Sequence, residues 1–364
     1  MTFDDVLIIK NGKNQRAVEN PDGKYPIYGS GGIMGYADDY ICEADTVIVG
    51  RKGSINNPIF VEEPFWNVDT AFGLVAKREV LLPRYLYYFC RNYDFERLNK
   101  AVTIPSLTKS DLLKIEITLP SLEIQEKIVN KLLKIEEVIQ ARQQQLQKMD
   151  ELVKARFIEL FGDPATNPYG WQQLTVNDVC VSVVRGPFGS ALKKEFFVPP
   201  SNTTYKVYEQ KHAIQKSSTI GTYYVTAEKY NELRRFECHS GDILMSCSGT
   251  MGELYQLPAG CERGIINQAL CKFTLNERIL PIVFLAYMRE TIGNLETKGS
   301  GIQNIAAVSY VKAMPISLPP MRVQEQYATL VEQTDKSKLA IQQSLDKLKT
   351  LRKSLMQEYY GQGE

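Results

Sequence analysis

The sequence contains one segment twice. Residues 119–128 read Leu-Pro-Ser-Leu-Glu-Ile-Gln-Glu-Lys-Ile and residues 318–327 read Leu-Pro-Pro-Met-Arg-Val-Gln-Glu-Gln-Tyr, which places Gln125 and Gln324 199 positions apart. Each copy begins a long stretch with helical periodicity, and each follows a different region that is rich in glycine and aromatic residues. A repeat of this length predicts one scaffold that is present twice and carries two different binding surfaces.

Both long stretches advance in steps of four and three residues, which is the heptad spacing of a coiled coil. Each begins just after proline, and the first ends at Gly162 with Pro164 beyond it. We therefore expect two long helices that pair as an antiparallel coiled coil with a pseudo-two-fold axis. The predicted seam of the first helix contains Ile128, Leu132, Ile135, Ile139, Arg142, Leu146, Met149, Val153, Arg156 and Leu160, and that of the second contains Tyr327, Val331, Thr334, Lys338, Ile341, Leu345, Leu348, Arg352, Leu355 and Tyr359.

Four of these seam positions are cationic: Arg142, Arg156, Lys338 and Arg352. Charges at such positions trade stability for specificity, so we hypothesise that they set the register or face partner proteins. Long side chains can also extend from a seam into solvent, which leaves a purely structural interpretation open.

The regions before the helices predict an α+β fold, in which two mixed domains alternate with the two long helices. Short β-branched runs, such as 46–49 and 242–245, are separated by glycine turns, and helical patches occur near 83–92 and 281–290. The expected divisions are domain 1 at 1–120, helix 1 at 121–161, domain 2 at 162–319 with a linker at 162–170, and helix 2 at 320–360.

Bulk properties exclude several classes of protein. The longest apolar run, near 281–288, is far too short to span a bilayer, and the N-terminus carries no signal-like segment, so we expect a cytoplasmic chain without a membrane partner. Seven cysteines form no Cys-x-x-Cys pair and only two histidines occur, so no metal site is expected in this chain. The thiols are expected to be reduced and mostly buried.

The charge balance constrains any interaction with DNA. The net charge is +1, residues 1–120 carry 14 basic and 16 acidic side chains, and residues 171–319 carry 15 and 12. Neither domain is a basic block, so a DNA-binding surface would need cations focused on one face and help from partner subunits.

Amide and cationic side chains cluster with glycine loops in domain 1. Arginine and lysine match guanine acceptors, asparagine and glutamine match adenine, and glycine allows a close backbone approach to a duplex. The same residues also suit ordinary surface turns. The candidate DNA-binding residues of this domain are Lys13, Asn14, Gln15, Arg16, Ser30, Arg51, Lys52, Ser54 and Asn56.

In domain 2, hydroxyls take the place of the arginine and lysine of the first domain. The loops at 103–107 and 301–305 each lead towards a long helix, and they fit either a DNA contact or a structural brace. The candidate DNA-binding residues here are Arg185, Lys193, Lys194, Ser246, Ser248, Thr250, Gln303 and Asn304.

Catalytic motifs are weak throughout the sequence. Residues 57–60, Asn-Pro-Ile-Phe, differ by one residue from the Asn-Pro-Pro-Phe box of adenine methyltransferases, but no glycine-rich nucleotide loop accompanies them. The histidines are too few for a nucleophilic triad. The residues therefore favour a chain without catalytic residues, and a self-contained DNA methyltransferase or nuclease is the alternative.

Several segments resemble the specificity subunit of type I restriction-modification systems over essentially the whole chain. They are residues 24–33 (Lys-Tyr-Pro-Ile-Tyr-Gly-Ser-Gly-Gly-Ile), 65–71 (Phe-Trp-Asn-Val-Asp-Thr-Ala), 104–108 (Ile-Pro-Ser-Leu-Thr) and the repeated Leu-Pro start of the long helices. Tandem target-recognition domains that alternate with two long helices are typical of that family. The first copy departs from the pattern because it lacks an equivalent of Trp171.

The resemblance implies a non-catalytic recognition subunit in which each domain reads one half of a bipartite, asymmetric DNA target and the helices set the gap. It implies double-stranded DNA, two modification (methyltransferase) subunits and ATP-dependent restriction subunits as partners. S-adenosylmethionine, ATP and Mg²⁺ would serve those partners, with no cofactor in this chain. A coiled-coil scaffold that never meets DNA is a further alternative that the near-neutral charge leaves open.

Overall fold

The computed structural model describes residues 1–100, 104–297 and 307–361. The chain divides into two compact units, the first formed by Met1–Leu146 with Ala340–Glu364 and the second by Gln147–Leu339. Each long helix thus contributes one part to each unit.

The first unit is a mixed α+β domain. Its helices are α1 (Phe3–Val6), α2 (Pro83–Asn92), α3 (Lys109–Leu112) and α4 (Leu122–Phe161), of which α4 continues into the second unit. Its strands are β1 (Leu7–Asn11), β2 (Tyr25–Gly29), β3 (Gly32–Ala37), β4 (Thr46–Gly50), β5 (Ile59–Val61), β6 (Trp66–Asn67) and β7 (Ala71–Ala76).

The second unit has the same mixed character. Its strands are β8 (Gln172–Thr175), β9 (Cys180–Arg185), β10 (Thr204–Tyr208), β11 (Tyr224–Thr226), β12 (Glu237–Cys238), β13 (Ile243–Ser246), β14 (Leu254–Gln256), β15 (Gly264–Ile266), β16 (Leu270–Leu275) and β17 (Pro315–Leu318). Its helices are α5 (Gln210–Ile214), α6 (Ala227–Glu232), α7 (Pro281–Thr297), α8 (Val308–Ala313) and α9 (Met321–Tyr360), of which α9 continues into the first unit.

The two units repeat one sheet topology. The main sheet has the strand order β1-β7-β4-β5 in the first unit and β9-β16-β13-β14 in the second, and every neighbouring pair is antiparallel. A smaller sheet follows in each unit, β3-β2-β6 and β11-β10-β15-β12, and each contains one parallel pair, β2 with β6 and β10 with β15. The β-branched run at 46–49 and residues 243–245 of the run at 242–245 therefore lie in equivalent strands, β4 and β13.

Buried strands explain why the β-branched runs fold as they do. Every residue of β4 and of β13 is buried, which suits apolar and β-branched side chains that pack on both faces of a sheet. In the first unit the core side chains include Phe3, Leu74, Tyr85 and Phe89. In the second they include Phe273, Phe284 and Tyr287.

The long helices pack against each other inside each unit. In the first unit Lys131 of α4 donates to the Tyr359 hydroxyl of α9 at 3.0 Å, and Glu136 lies 3.9 Å from Arg352. In the second, Lys338 of α9 bonds Asp150 of α4 at 2.5 Å. In the first unit the residue numbers of these two pairs run in opposite directions. The same holds in the second unit for Lys338–Asp150 and Tyr327–Phe161, whose ring centroids are 5.2 Å apart, so the helix segments are locally antiparallel.

The predicted seam is buried at one end of α4 and only partly buried at the other. Leu132, Ile135 and Ile139 are buried as predicted, whereas near the end of α4 Val153 and Leu160 are partly buried and the fully buried side chains are Phe157 and Phe161. The reason is that this end packs on aromatic rings of its own unit, with the Phe157 centroid 5.3 Å from Tyr287 and 5.8 Å from Tyr327.

A buried glutamine fixes the start of α4 to the first unit. Gln125 is fully buried, its Oε1 accepts from the Leu82 N–H at 2.9 Å, and its Nε2 donates to the carbonyls of Val80 and Pro120, each at 2.9 Å. All the polar atoms of this side chain are therefore paired with backbone groups just before α2 and α4.

Gln324 makes the same three bonds in the second unit. Its Oε1 accepts from the Leu280 N–H at 2.9 Å, and its Nε2 donates to the carbonyls of Arg278 and Pro319, each at 3.0 Å. The repeated Leu-Pro-x-x-x-x-Gln segment therefore attaches each long helix to the domain that precedes it.

Within the described ranges, no helix is long and apolar enough to cross a membrane. All seven cysteines are free thiols, and five of them are buried.

We predict that Gln125→Ala and Gln324→Ala each lower the free energy of unfolding of their unit by about 3 kcal/mol, because each leaves one backbone N–H and two carbonyls buried without a partner. Urea unfolding curves measure the loss. Gln143→Ala, an exposed glutamine on α4, serves as the control and leaves the midpoint unchanged. Equal midpoints for all three variants would contradict the role of Gln125 and Gln324 in attaching the long helices to their domains.

Candidate nucleic-acid interface

The loop after β1 carries four of the predicted residues, Lys13 to Arg16, and it lies against β6. The Lys13 N–H donates to the Asn67 carbonyl at 2.9 Å, and the Trp66 indole donates to the Lys13 carbonyl at 3.0 Å. A Cβ at Gly12 would stand 1.8 Å from the Val68 carbonyl oxygen, so only glycine permits this approach. The side chains of Lys13, Asn14 and Arg16 remain exposed.

The loop after β4 carries the next group of predicted residues. The Arg51 and Lys52 N–H groups donate to the Thr70 carbonyl at 2.8 and 3.1 Å, and the Leu107 N–H donates to the Arg51 carbonyl at 2.9 Å. The Gly53 N–H also donates to the Pro105 carbonyl at 3.1 Å. Backbone bonds thus hold the loop between two neighbouring segments while the Arg51, Lys52 and Ser54 side chains face solvent.

Ser30 lies in the turn between β2 and β3, next to the loop after β4. A Cβ at Gly50 would stand 3.1 Å from the Ser30 Cβ. The Val68 N–H donates to the Tyr28 carbonyl at 3.0 Å, which ties this hairpin to the segment 67–70. Three loops with predicted residues, 12–16, 30–31 and 51–54, therefore meet around residues 67–70, and we call this group the first loop cluster.

Asn56 has a structural role. Its Nδ2 donates to Asp94 Oδ1 at 2.9 Å, and its Oδ1 accepts from the Phe95 N–H at 2.7 Å. Asn56 is exposed, and each end of its amide already has a partner within the protein, which favours a structural role over base reading.

The second unit builds the same backbone arrangement. A Cβ at Gly186 would stand 1.9 Å from the Asn267 carbonyl oxygen, just as a Cβ at Gly12 would stand 1.8 Å from the Val68 carbonyl oxygen. The Cys247 N–H donates to the Ala269 carbonyl at 2.8 Å, as Arg51 does to Thr70. We call the loops around residues 266–269 the second loop cluster.

The two clusters place a guanidinium at equivalent points from different positions in the chain. Arg51, in the loop after β4, donates through Nη1 to the Asp69 carbonyl at 3.4 Å. Arg185, at the end of β9, donates through Nε to the Gln268 carbonyl at 2.9 Å and through Nη2 to the Cys247 carbonyl at 3.3 Å. Asp69 and Gln268 are 199 positions apart, so both belong to the internal repeat.

Arg185 also influences a nearby thiol. A hydrogen bond with Cys271 is the main cause that lowers the pKa of Cys247. The positive charge of Arg185 lowers this pKa further, although burial opposes the shift. The pKa of Cys271 is raised well above its usual value by the same hydrogen bond and by burial.

The predicted hydroxyl residues of the second unit divide into two kinds. Ser246 is buried, its hydroxyl donates to the Thr250 carbonyl at 2.6 Å, and it accepts from the Glu253 N–H at 2.9 Å. It shapes the turn and faces no solvent. Ser248 and Thr250 lie in that turn with exposed side chains and belong to the second loop cluster.

Lys193 and Lys194 are exposed, and Lys193 lies 3.6 Å from Glu195. Their neighbour Leu192 packs in a cluster with Val207 and Ile265 of the smaller sheet, and no described contact joins the two lysines to the second loop cluster. Gln303 and Asn304, like Thr103 of the earlier loop, lie outside the described residues.

Two exposed features of the clusters were not predicted from the sequence. Phe188 is 70% exposed with its ring 6.0 Å from the Arg185 guanidinium. Ile33 and Met34 of β3 are both exposed although they are consecutive in a strand. The Pro-Phe pair after Gly186 could have indicated the exposed Phe188. The exposure of Ile33 and Met34 depends on the register between β2 and β3.

The sequence that resembles a methyltransferase box is part of a strand. Ile59 and Phe60 belong to β5 and pair with β4, and the Phe60 ring lies under the Arg84 guanidinium at 4.4 Å. In the described part of the chain, no group of three or more His, Cys, Asp or Glu side chains could hold a metal ion.

α5 supports the turn of the second loop cluster through a buried histidine. Gln210 of α5 donates to the Thr250 carbonyl at 3.4 Å. Two residues on, His212 is fully buried, with Nε2 bonded to the Ile220 carbonyl at 2.7 Å and Nδ1 accepting from the Glu209 N–H at 2.8 Å. This pattern requires the neutral imidazole, and burial lowers the pKa of His212 from 6.5.

The family model of the type I restriction modification DNA specificity domain matches residues 1–150 and, a second time, residues 168–350. The chain belongs to this family of specificity subunits. This membership confirms the resemblance seen in the sequence, and with it the prediction of a non-catalytic recognition subunit.

Two relatives carry the same description. A putative type I restriction enzyme specificity subunit of Haemophilus influenzae is 23% identical over 357 residues, which cover 92% of this chain and 88% of the relative. A putative type I specificity subunit of Mycoplasma pneumoniae is 27% identical over 142 residues, 37% of this chain, and this match spans only 46% of the relative.

Solved structures share the fold. The type I restriction-modification S subunit from M. genitalium has a TM-score of 0.62 at 16% identity and matches 100% of this specificity subunit and 96% of its own chain. A chain from a structure of the assembly and conformational transition of a type I system has a TM-score of 0.64 at 16% identity, with 99% and 96% covered. The α+β class with two related domains and two long helices is therefore confirmed.

We predict that Asn56→Ala lowers the free energy of unfolding of the first unit by about 2 kcal/mol, because the Phe95 N–H loses its acceptor. It leaves DNA sequence preference unchanged in the assembled complex. Lys52→Ala, at an exposed loop position, gives the opposite result, with altered DNA binding and unchanged stability. Thermal melts and binding titrations measure both properties, and a changed base preference for Asn56→Ala would refute its structural assignment.

We also predict that the second unit loses stability as the pH falls below about 6.5. A histidine with a lowered folded pKa stabilises the fold fully above its unfolded pKa, and the contribution disappears as the pH falls towards the folded pKa. Urea midpoints at pH 7.5 and 5.5 should differ less for His212→Gln than for the wild type. His239→Gln, which changes the exposed histidine, should keep the wild-type difference.

Proposed function

We propose that this chain is the DNA-reading subunit of a type I restriction-modification complex, in which each loop cluster reads one half of a bipartite, asymmetric target. The division into recognition domains at 1–120 and 162–319, and spacer helices at 121–161 and 320–360, is part of this proposal. The observation that carries it is the pair of loop clusters with equivalent backbones and different exposed side chains.

The chemistry of the clusters supports base reading. The first presents Lys13, Asn14, Arg16, Arg51 and Lys52 on loops whose backbones are fixed by hydrogen bonds, and such donors match guanine and adenine edges. The second presents hydroxyls at Ser248 and Thr250 beside Arg185. Because the side chains differ while the scaffold repeats, two unlike half-sites are expected.

The long helices fit the role of a spacer. We infer that α4 and α9 pair along their length as an antiparallel coiled coil, supported by the contacts Lys131–Tyr359 and Lys338–Asp150. A helix of 40 residues spans about 60 Å, compared with about 34 Å for one turn of DNA.

Partners complete the proposed complex. Two modification subunits that use S-adenosylmethionine would dock on the helices, and restriction subunits would supply ATP- and Mg²⁺-dependent cleavage. Two of the four seam cations bond within their own helix, Arg142 to Gln145 and Arg156 to Glu159. This leaves Lys338 and Arg352, which contact the other long helix, as the candidates for setting register.

The near-neutral charge is consistent with a complex in which the partner subunits make most of the phosphate contacts. A subunit with a net charge of +1 contributes few phosphate contacts of its own, so its partners would supply most of the salt-dependent attraction. We therefore expect sequence-selective binding from the assembled complex and weak binding from the isolated chain.

We predict that one additional heptad in each long helix, placed between Leu146 and Gln147 and between Leu339 and Ala340, lengthens the gap between the half-sites by about three base pairs. Seven residues add about 10.5 Å of helix, and a heptad preserves the buried face to within about 20°. Mapping of methylated adenines in cells that carry the complete system measures the gap and both half-sites.

The matched control places seven residues between Asn167 and Pro168, in the loop after α4, and leaves the gap unchanged. An unchanged gap in a complex with lengthened helices that still methylates would overturn the spacer role. Two identical half-sites would overturn the asymmetric reading, and methyl transfer by the purified chain alone would overturn the non-catalytic one.

A further inference from the structure

We propose that the tip of the β2–β3 hairpin recognises the 5-methyl group of a thymine in the half-site read by the first unit, through Ile33 and Met34. This inference rests on the proposed DNA-reading function and deepens it. Ile33 is 55% exposed and Met34 is 61% exposed, so both present apolar groups to solvent beside the first loop cluster.

A bulge in the hairpin produces this double exposure. Along the β2–β3 pair, Gly29 faces Gly32 and Tyr28 faces Ile33, but Ile27 faces Gly35, so Met34 is the extra residue. In a regular strand, consecutive side chains point to opposite faces, whereas a bulge redirects one of them. Two adjacent apolar side chains consequently reach solvent together.

The position of Met34 ties it to the loop cluster. A Cβ at Gly29 would stand 2.6 Å from the Met34 sulfur and 3.5 Å from Val68 Cγ2, so the Met34 side chain covers Gly29 next to the segment 67–70. Ser30, one residue on from Gly29, lies against Gly50. The apolar tip is therefore continuous with the loops that carry Arg51 and Lys52.

The chemistry of the surroundings selects the ligand. The cluster around the tip carries Lys13, Arg16, Arg51 and Lys52, which suits a polyanion, and the major groove of DNA offers one apolar group to a reader, the thymine methyl. Three acidic residues also lie near the tip: Glu19 Oε1 would be 3.5 Å from a Cβ at Gly35, the charge of Glu63 helps burial to raise the pKa of Tyr28, and Asp69 belongs to the segment 67–70.

The described residues of the second unit include no counterpart of this tip. Its smaller sheet places β11 beside β10 where the first unit places β3 beside β2, and Tyr224 and Val225 of β11 are buried. Thymine reading by a hairpin tip is thus a property of the first unit, which makes the two half-sites chemically different.

The test replaces thymine with deoxyuridine, which removes the methyl group and keeps base pairing. Once methylation mapping has given the target, each thymine of both half-sites is replaced in turn and the dissociation constant of the assembled complex is measured. Lys52→Ala identifies the half-site of the first unit. The wild type should bind about fourfold more weakly at one or two substituted positions of that half-site, as expected for one lost methyl contact.

The variant Ile33→Ser with Met34→Ser should bind thymine and uracil equally at those positions. Both side chains are exposed, so the variant should melt like the wild type. Ile8→Ser is the matched control, because Ile8 is also 55% exposed but lies within β1, and it should keep the fourfold preference.

Three outcomes would overturn the proposal. Equal binding of thymine and uracil by the wild type at every position excludes it, while sequence-selective binding in the same assay keeps the proposed function. A hairpin variant that loses a protein subunit but still distinguishes thymine from uracil makes the tip a protein contact. Absence of any sequence preference removes the proposed function itself, and this inference with it.

Discussion

The structure depends on a buried glutamine that occurs twice. Gln125 and Gln324 each join three backbone groups from the segments that precede a domain helix and a long helix. Because a buried amide is costly unless every polar atom is paired, the side chain fixes the direction in which each long helix leaves its domain. These bonds attach the start of each long helix to its domain, as the proposed spacer role requires.

Backbone geometry, rather than side-chain identity, is what the two units share near the loop clusters. A Cβ added at Gly12 or at Gly186 would stand less than 2 Å from a carbonyl oxygen. The N–H groups of Arg51 and Cys247 donate to equivalent carbonyls, those of Thr70 and Ala269. Base contacts require side chains placed to within hydrogen-bond tolerance, so a fixed backbone allows exposed residues to vary without loss of the frame. The same frame can therefore present Lys52 in one unit and Ser248 in the other.

Much of this fold was predictable from the sequence, because the repeat and the heptad spacing are local patterns. The site was less predictable, because its roles depend on distant partners. Asn56 is structural because Asp94 and Phe95 lie beside it, 38 and 39 positions along the chain. Ser246 and Ser248 look equivalent in the sequence, but in the structure Ser246 is buried and Ser248 is exposed. The exposure of Met34 depends on a one-residue register shift that no periodicity discloses.

Arg51 and Arg185 place a guanidinium at equivalent points of the two loop clusters from different positions in the chain. The two guanidinium groups donate to carbonyls 199 positions apart, yet Arg51 lies in the loop after β4 and Arg185 is the last residue of β9. Cys247 stands where the first unit has Arg51, and Arg185, on a strand separated from β13 by β16, brings a guanidinium to this point. Both loop clusters thus have a guanidinium at this position but different side chains around it. This arrangement suits a subunit whose two halves bind one polyanion and read different bases.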